Sequence, residues 1–203
     1  MEIVFLRASR AAAFACLCLL LTGCLSMKSY VDTALPVVSK GELVRPANPQ
    51  PAQVLFEFRT KGNANAKATD QLRGRVLASI VESQMFGTLN AAPDGDSPAV
   101  LKVVIDNVPI TDNAAAKGFG TGLTFGLAGS IVTDGYVCEA TYQRAGKTTS
   151  TTVKHALHTT IGNHSGVKGV PAMQTQDALN QVIDQLVLNA LKNLDAQSAF
   201  AGE

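Results

Sequence analysis

The polarity of the chain changes period along its length. In QVLFEFRT (53–60), Val54, Phe56 and Phe58 alternate with Gln53, Leu55, Glu57 and Arg59. Alternation at period two predicts a strand with one buried face. KGNANAK follows as a turn-rich connection. Leu72, Val76, Ile80 and Val81 then recur at helical spacing. They predict an amphipathic helix capped by Thr69 or Asp70, with Arg73 and Arg75 on its exposed side and Gly87 at or beyond its end. APDGDSP (92–98) marks a turn. In AVLKVVIDNVPI (99–110), Leu101, Val103 and Ile105 share one face of a second strand, which Pro109 limits. Residues 136–144 and 147–160 predict a β-hairpin turning at Ala145-Gly146, with Tyr136, Cys138, Ala140 and Tyr142 on one face. Thr148, Thr149, Thr151 and Thr152 favour extended backbone through β-branching. NHSGVKG is loop. Last, Leu179, Val182, Ile183, Leu186, Ala190 and Leu194 form the stripe of a long helix capped by Thr175, with Gln176, Asn180, Asp184 and Gln185 off that stripe.

This order predicts an α+β fold: a mostly antiparallel sheet with two helices packed on one face, in a single domain over residues 53–203. At the level of element order it resembles small periplasmic lipoproteins, among them the lipopolysaccharide-assembly lipoprotein and the transport-auxiliary lipoproteins, and the N-terminal domain of TolB. A shared order of elements implies no shared function.

Two stretches follow neither period. The first is the start, MEIVFLRASRAAAFACLCLLLTGC. Arg7 and Arg10 give a basic opening, and the apolar run 11–21 has signal-peptide length, too short to span a bilayer. It ends Leu21-Thr22-Gly23-Cys24, which resembles the lipobox of bacterial lipoproteins. The resemblance implies cleavage of residues 1–23, acylation of Cys24 and anchoring in a membrane through its acyl chains. Leu25, where such proteins of enterobacteria carry Asp for inner-membrane retention, implies the outer membrane, facing the periplasm. Two or three acyl chains anchor effectively where one binds marginally. Residues 24–52 hold Pro36, Pro46, Pro49 and Pro51 and read as a lipidated N-terminus and flexible tether. Such a tether has a mean reach of roughly 30 Å.

The second is GFGTGLTFGLAGSIVT (118–133), with five glycines and no charge, inside an apolar insertion over 114–133. Ala114, Gly118, Gly122, Gly126 and Ser130 recur every four residues, a spacing that resembles a glycine zipper. As a helix, 118–133 is roughly 24 Å long, short of a hydrocarbon core. Glycine also disfavours an isolated helix in water. Three roles stay open: cover over the protein's own sheet, association with a partner or another copy, and membrane contact. Gly118, Phe119, Gly122, Leu123, Phe125, Gly126 and Leu127 are the candidate contact residues for the last two.

Charge and chemistry narrow the function further. Signal cleavage removes Arg7, Arg10 and Glu2 from 17 basic and 16 acidic side chains, so the mature chain is neutral. Nothing in that balance points to nucleic acid. Cys16 and Cys18 leave with the signal, and Cys138 is the sole thiol besides Cys24, so no intramolecular disulfide forms. Cys138 reads as a small buried hydrophobe without the basic neighbours of a reactive thiol. His155 and His158 on one strand project to opposite faces, and His164 sits in a loop, which argues against a zinc site. Asp94 and Asp96 fit turn chemistry better than a calcium loop. Ser130 lacks a nucleophile-elbow context, and the glycines lack phosphate-loop spacing. The expectation is a non-enzymatic envelope lipoprotein without a cofactor, used for binding or assembly with itself or an envelope protein. The alternative is a carrier of an apolar small molecule or lipid.

Overall fold

The first strand lies inside the segment expected to be a tether. In the computed structural model, which describes residues 27–90, 99–110, 131–162 and 166–201, β1 (Met27–Val31) pairs antiparallel with residues 157–161. Tyr30 and Val31 are buried, and so are Val38 and Leu43 further on. A 3₁₀ turn at Lys40–Glu42 separates those last two. Asn189 Nδ2 donates to the Pro36 carbonyl at 2.9 Å, and Lys192 Nζ donates to Glu42 Oε2 at 3.0 Å. Residues 27–51 are therefore a strap on the domain rather than a flexible tether. Prolines break periodicity but not packing, and the partners of this strap in β7 and in the last helix are more than a hundred residues away.

The remaining strands follow the predicted alternation. β2 (Ala52–Thr60) buries Val54, Phe56 and Phe58 and turns into the short β3 (Asn63–Ala64). α1 (Ala66–Glu82) crosses over the sheet and leads to β4 (Leu89–Asn90), which pairs with the start of β2. β5 (Ala99–Pro109) lies parallel to β2. β6 (Ile131–Arg144) and β7 (Lys147–Ile161) form the hairpin. Ala145 and Gly146 turn it with φ of 49° and 76°. β6 begins five residues earlier than expected, so Ile131, Val132 and Thr133 belong to the sheet rather than to the glycine-rich insertion. Among the described residues the strand order is β1-β7-β6-β5-β2-β3, antiparallel except at β2–β5 and β2–β4. α2 (Thr175–Ala196) completes the α+β domain, and both helices pack on one face of the sheet.

Register fixes the polarity of the whole domain. β2, β5 and β7 finish at the end of the sheet where β1 and β6 begin. α1 starts at this upper end, where Thr69 Oγ1 accepts from Phe58 N at 2.8 Å. α2 starts there too, its Thr175 hydroxyl accepting from Ser29 Oγ at 3.0 Å. The helices consequently run parallel, and Asp184 of α2 accepts from Arg75 and Ser79 of α1.

Three local expectations change. Asn65, not Thr69 or Asp70, caps α1 by accepting from Ala68 N at 3.0 Å, because Thr69 turns inward to the end of β2. Thr175 is the first residue of α2 rather than its cap, since its hydroxyl is committed to Ser29. Val81 is 60% exposed, while Leu72, Val76 and Ile80 are buried as predicted. The core fills the space between sheet and helices: Leu101, Val103 and Ile105 of β5 face it, with Cys138 and Ala140 of β6 and Val182, Ile183 and Leu186 of α2. Phe86, Tyr142 and Phe200 close its lower end as an aromatic cluster in which Phe200 meets both other rings edge to face.

Candidate functional site

On the face of the sheet away from the helices, near the upper end, three strands are joined by a buried polar chain. His158 Nε2 donates to Asp32 Oδ2 at 3.0 Å, and His158 Nδ1 lies 2.9 Å from Thr133 Oγ1. Asp32 Oδ1 accepts from Ala34 N at 2.7 Å. Register explains the meeting: Tyr30 and Thr133 are the cross-strand partners of His158 in β1 and β6, and Asp32 follows β1 directly. Burial alone would raise the Asp32 pKa, but bonds from His158 and the Ala34 amide outweigh it and hold the carboxyl below its ordinary value. A hydroxyl, an imidazole and a carboxylate in series are the parts of a hydrolytic triad. A nucleophile must reach substrate, however, and Thr133, His158 and Asp32 are 6%, 0% and 4% exposed. The chain acts as a lock that fastens β1 to β7 and β6.

His155 points to the opposite face, as period two requires. Its Nε2 donates to Gln185 Oε1 of α2 at 2.5 Å, and its Nδ1 is buried without a hydrogen-bond partner. Desolvation lowers its pKa below the ordinary value of 6.5, against a smaller opposing effect of Gln185. Gln185, expected off the buried stripe, is thus buried by its bond to His155. Neither histidine is shared with the other's ligands, and the described residues hold no cluster of metal-ligating side chains. Cys138 is fully buried between sheet and helices, and burial pushes its thiol up to about 12. It is a core side chain.

Between the two helix N-termini and the ends of β5 and β6 lies an open depression of about 460 Å³. Phe58, Leu72 and Leu179 supply its apolar walls, and Asn107, Tyr136 and Asp134 line it with polar groups. Burial raises the Tyr136 pKa, so its phenol stays neutral. Parallel helices place the positive ends of both dipoles beside this depression, and Asp177 in the first turn of α2 offsets one of them.

The rim of the upper end is apolar and open. Met27, Val132 and Ile161 are 49%, 54% and 40% exposed. Met27 and Ile161 are direct cross-strand partners, and Val132 opposes Thr159, one step along the same face from Ile161. The three side chains form one patch on the helix-bearing face. Ile110 N donates to the Thr133 carbonyl at 3.0 Å, so β5 ends and β6 begins at this same end.

Cys24 and the contact candidates Gly118, Phe119, Gly122, Leu123, Phe125, Gly126 and Leu127 lie outside the described residues, as do Asp94, Asp96, Ser130 and His164. Sequence reading singled out neither the Asp32–His158–Thr133 lock nor the rim patch. The available signals were slight: an Asp just after a strand-like MKSYV, and apolar residues at strand ends where a solvated residue is expected.

The fold and this end define a single-domain α+β protein whose N-terminus enters the sheet beside an apolar rim. No protein-family model matches the chain, and no curated protein matches it in sequence. Among solved structures, it is similar to a homolog of the neuraminyllactose-binding hemagglutinin from Helicobacter pylori. That match has 9% identity and a TM-score of 0.43, covering 81% of this chain and 92% of that one. A minor lipoprotein from Acinetobacter baumannii matches at 14% identity and TM-score 0.37, over 73% and 94% of the two chains. Rare lipoprotein B from Shewanella oneidensis matches at 10% identity and TM-score 0.35, over 72% and 93%. Two of these three are lipoproteins, and none is similar enough to carry a function to this chain.

Proposed function

We propose that this protein is a lipid-anchored lipoprotein of the cell envelope, held at the outer membrane on its periplasmic side, with a binding or assembly role rather than an enzymatic one. The carrying observation is the sequence Leu21-Thr22-Gly23-Cys24 at the end of a basic-then-apolar leader. The non-enzymatic reading is supported by the burial of the one hydroxyl–imidazole–carboxylate series among the described residues. Its partners are the membrane, through the acyl chains on Cys24, and another envelope protein or a second copy, with Gly118, Phe119, Gly122, Leu123, Phe125, Gly126 and Leu127 as the candidate contact. Radiolabelled palmitate should enter the wild-type protein and vanish in Cys24→Ala. Retained label would remove the lipoprotein reading.

A second reading rests on the depression at the upper end. Phe58, Leu72 and Leu179 back a depression of about 460 Å³, within the range of ligand sites, between two helix N-termini, which would suit a carrier of an apolar small molecule or lipid. Mass spectrometry of the protein extracted from membranes separates the two: a stoichiometric co-purifying lipid favours the carrier, and a co-purifying protein favours assembly.

A further inference from the structure

We infer that the apolar rim formed by Met27, Val132 and Ile161 lies against the bilayer, so that the domain stands on the membrane with both helix N-termini toward it. The inference rests on acylation of Cys24, as proposed above, and adds what the anchor alone does not give: an orientation. A flexible tether would let the domain stand off the membrane and tumble. β1 begins at Met27, three residues after Cys24. Three residues of extended chain span at most about 11 Å. Acyl chains on Cys24 enter the hydrocarbon, so its backbone sits in the polar interfacial layer, which is roughly 5 to 8 Å deep on each side of a bilayer. Met27 is then held within about 11 Å of that layer.

What surrounds Met27 suits that position. Its cross-strand partner Ile161 and the neighbouring Val132 are exposed beside it, on the same face. Among the other described residues the exposed large apolar side chains, Val37, Val44, Leu55 and Val81, are scattered over the strap, β2 and α1 and form no such register-linked group. The lower end carries the β6–β7 turn with Arg144 and Lys147, which suits solvent. Lys28, Lys61 and Lys67 stand at the upper end, and Asp106, Asp134 and Asp177 offset them, so apolar insertion rather than net charge holds the rim down. The occupant is therefore the lipid surface itself, zwitterionic lipid included.

The test uses the full mature lipoprotein, acylated in cells and reconstituted into phosphatidylethanolamine–phosphatidylcholine vesicles. Bimane is attached at Val132→Cys, Ile161→Cys or, at the far end of α1, Val81→Cys. Cys138 is buried and Cys24 carries lipid, so the introduced thiol takes the label. Bromine atoms on the lipid acyl chains should quench the Val132 and Ile161 probes several-fold more than the Val81 probe, and aqueous iodide should show the reverse order. Iodide reaching the rim probes as freely as the Val81 probe, in protein that floats with the vesicles, would overturn the orientation and leave the anchor intact. Rim probes shielded from both quenchers would overturn it too, because the chain itself or a second copy then covers the patch. Protein that lacks the diacylglyceryl mass on Cys24 and fails to float would overturn the anchor and the orientation together.

Discussion

His155 shows how one buried group sets a response of the whole domain. Its imidazole is desolvated under α2, and its folded pKa lies below 6.5. The unfolded chain therefore takes up a proton near pH 6.5 that the folded chain refuses. The stabilisation is complete above that value and is lost as the pH falls through the folded pKa. Asp32 and His158 are the charged or titratable groups felt at this ring. Asp32 adds a loss of the same sign at more acid pH, below its ordinary value of 3.8, because its folded pKa is also lowered. The melting temperature should drop between about pH 7.5 and about pH 5.5, and the drop should be smaller in His155→Leu. Circular dichroism at the two pH values checks this; equal slopes for the two proteins would rule His155 out. Gly166 gives a second prediction at this scale. A Cβ there would fall 2.0 Å from Tyr30 Cζ, whose ring is buried against β7. Gly74, exposed in the middle of α1, has no heavy atom within 4 Å of the same added carbon. Gly166→Ala should destabilise by about 1 to 3 kcal/mol through overpacking. Gly74→Ala should stabilise by about 0.5 to 1 kcal/mol through reduced backbone entropy. Urea titrations of the two variants must move in opposite directions.

Among the elements, the strands were legible because a strand with one wet face writes its burial in every second residue. Val54, Phe56 and Phe58 in β2 and Leu101, Val103 and Ile105 in β5 are buried as that rule requires. Tyr136, Cys138, Ala140 and Tyr142 in β6 obey it as well. The rule fails in the upper half of β7, where Val153, His155, Ala156, Leu157, His158, Thr159 and Thr160 include both faces and are all buried. A strand covered on two sides loses its alternation, and two histidines and two threonines do not advertise a core. Caps were less legible than stripes. Asn65, Thr69 and Asp70 all have suitable side chains, and which one caps α1 was decided by the backbone end of β2, which drew Thr69 away.

At the scale of the whole molecule, the strap of residues 27–51 matters most. It closes the β7 edge of the sheet, crosses α2 and delivers the chain to β2 at the opposite side. Deleting residues 27–31 while keeping the leader and Cys24 should collapse the domain, since it bares the β7 edge and takes β1 away from the Asp32–His158 lock. Limited proteolysis and circular dichroism measure this. A deletion variant as stable as the wild type would restore the tether reading. The same strap would set the distance of the domain from the proposed anchor at Cys24, which links the stability of β1 to the orientation inferred above.

The sequence by itself determined the α+β class, the two helices and the central hairpin with its Ala145-Gly146 turn, and it carries the lipobox-like ending at Cys24 on which the proposed anchor rests. Each of these is written in local periodicity, turn chemistry or a short contiguous motif. Tertiary structure alone decided that residues 27–51 are packed, that His155 and His158 are buried with Gln185 and with Asp32 and Thr133, and that Met27, Val132 and Ile161 share one rim. Those facts depend on which strands become neighbours and in what register. Register brings together residues more than a hundred positions apart, and no local pattern of polarity records it.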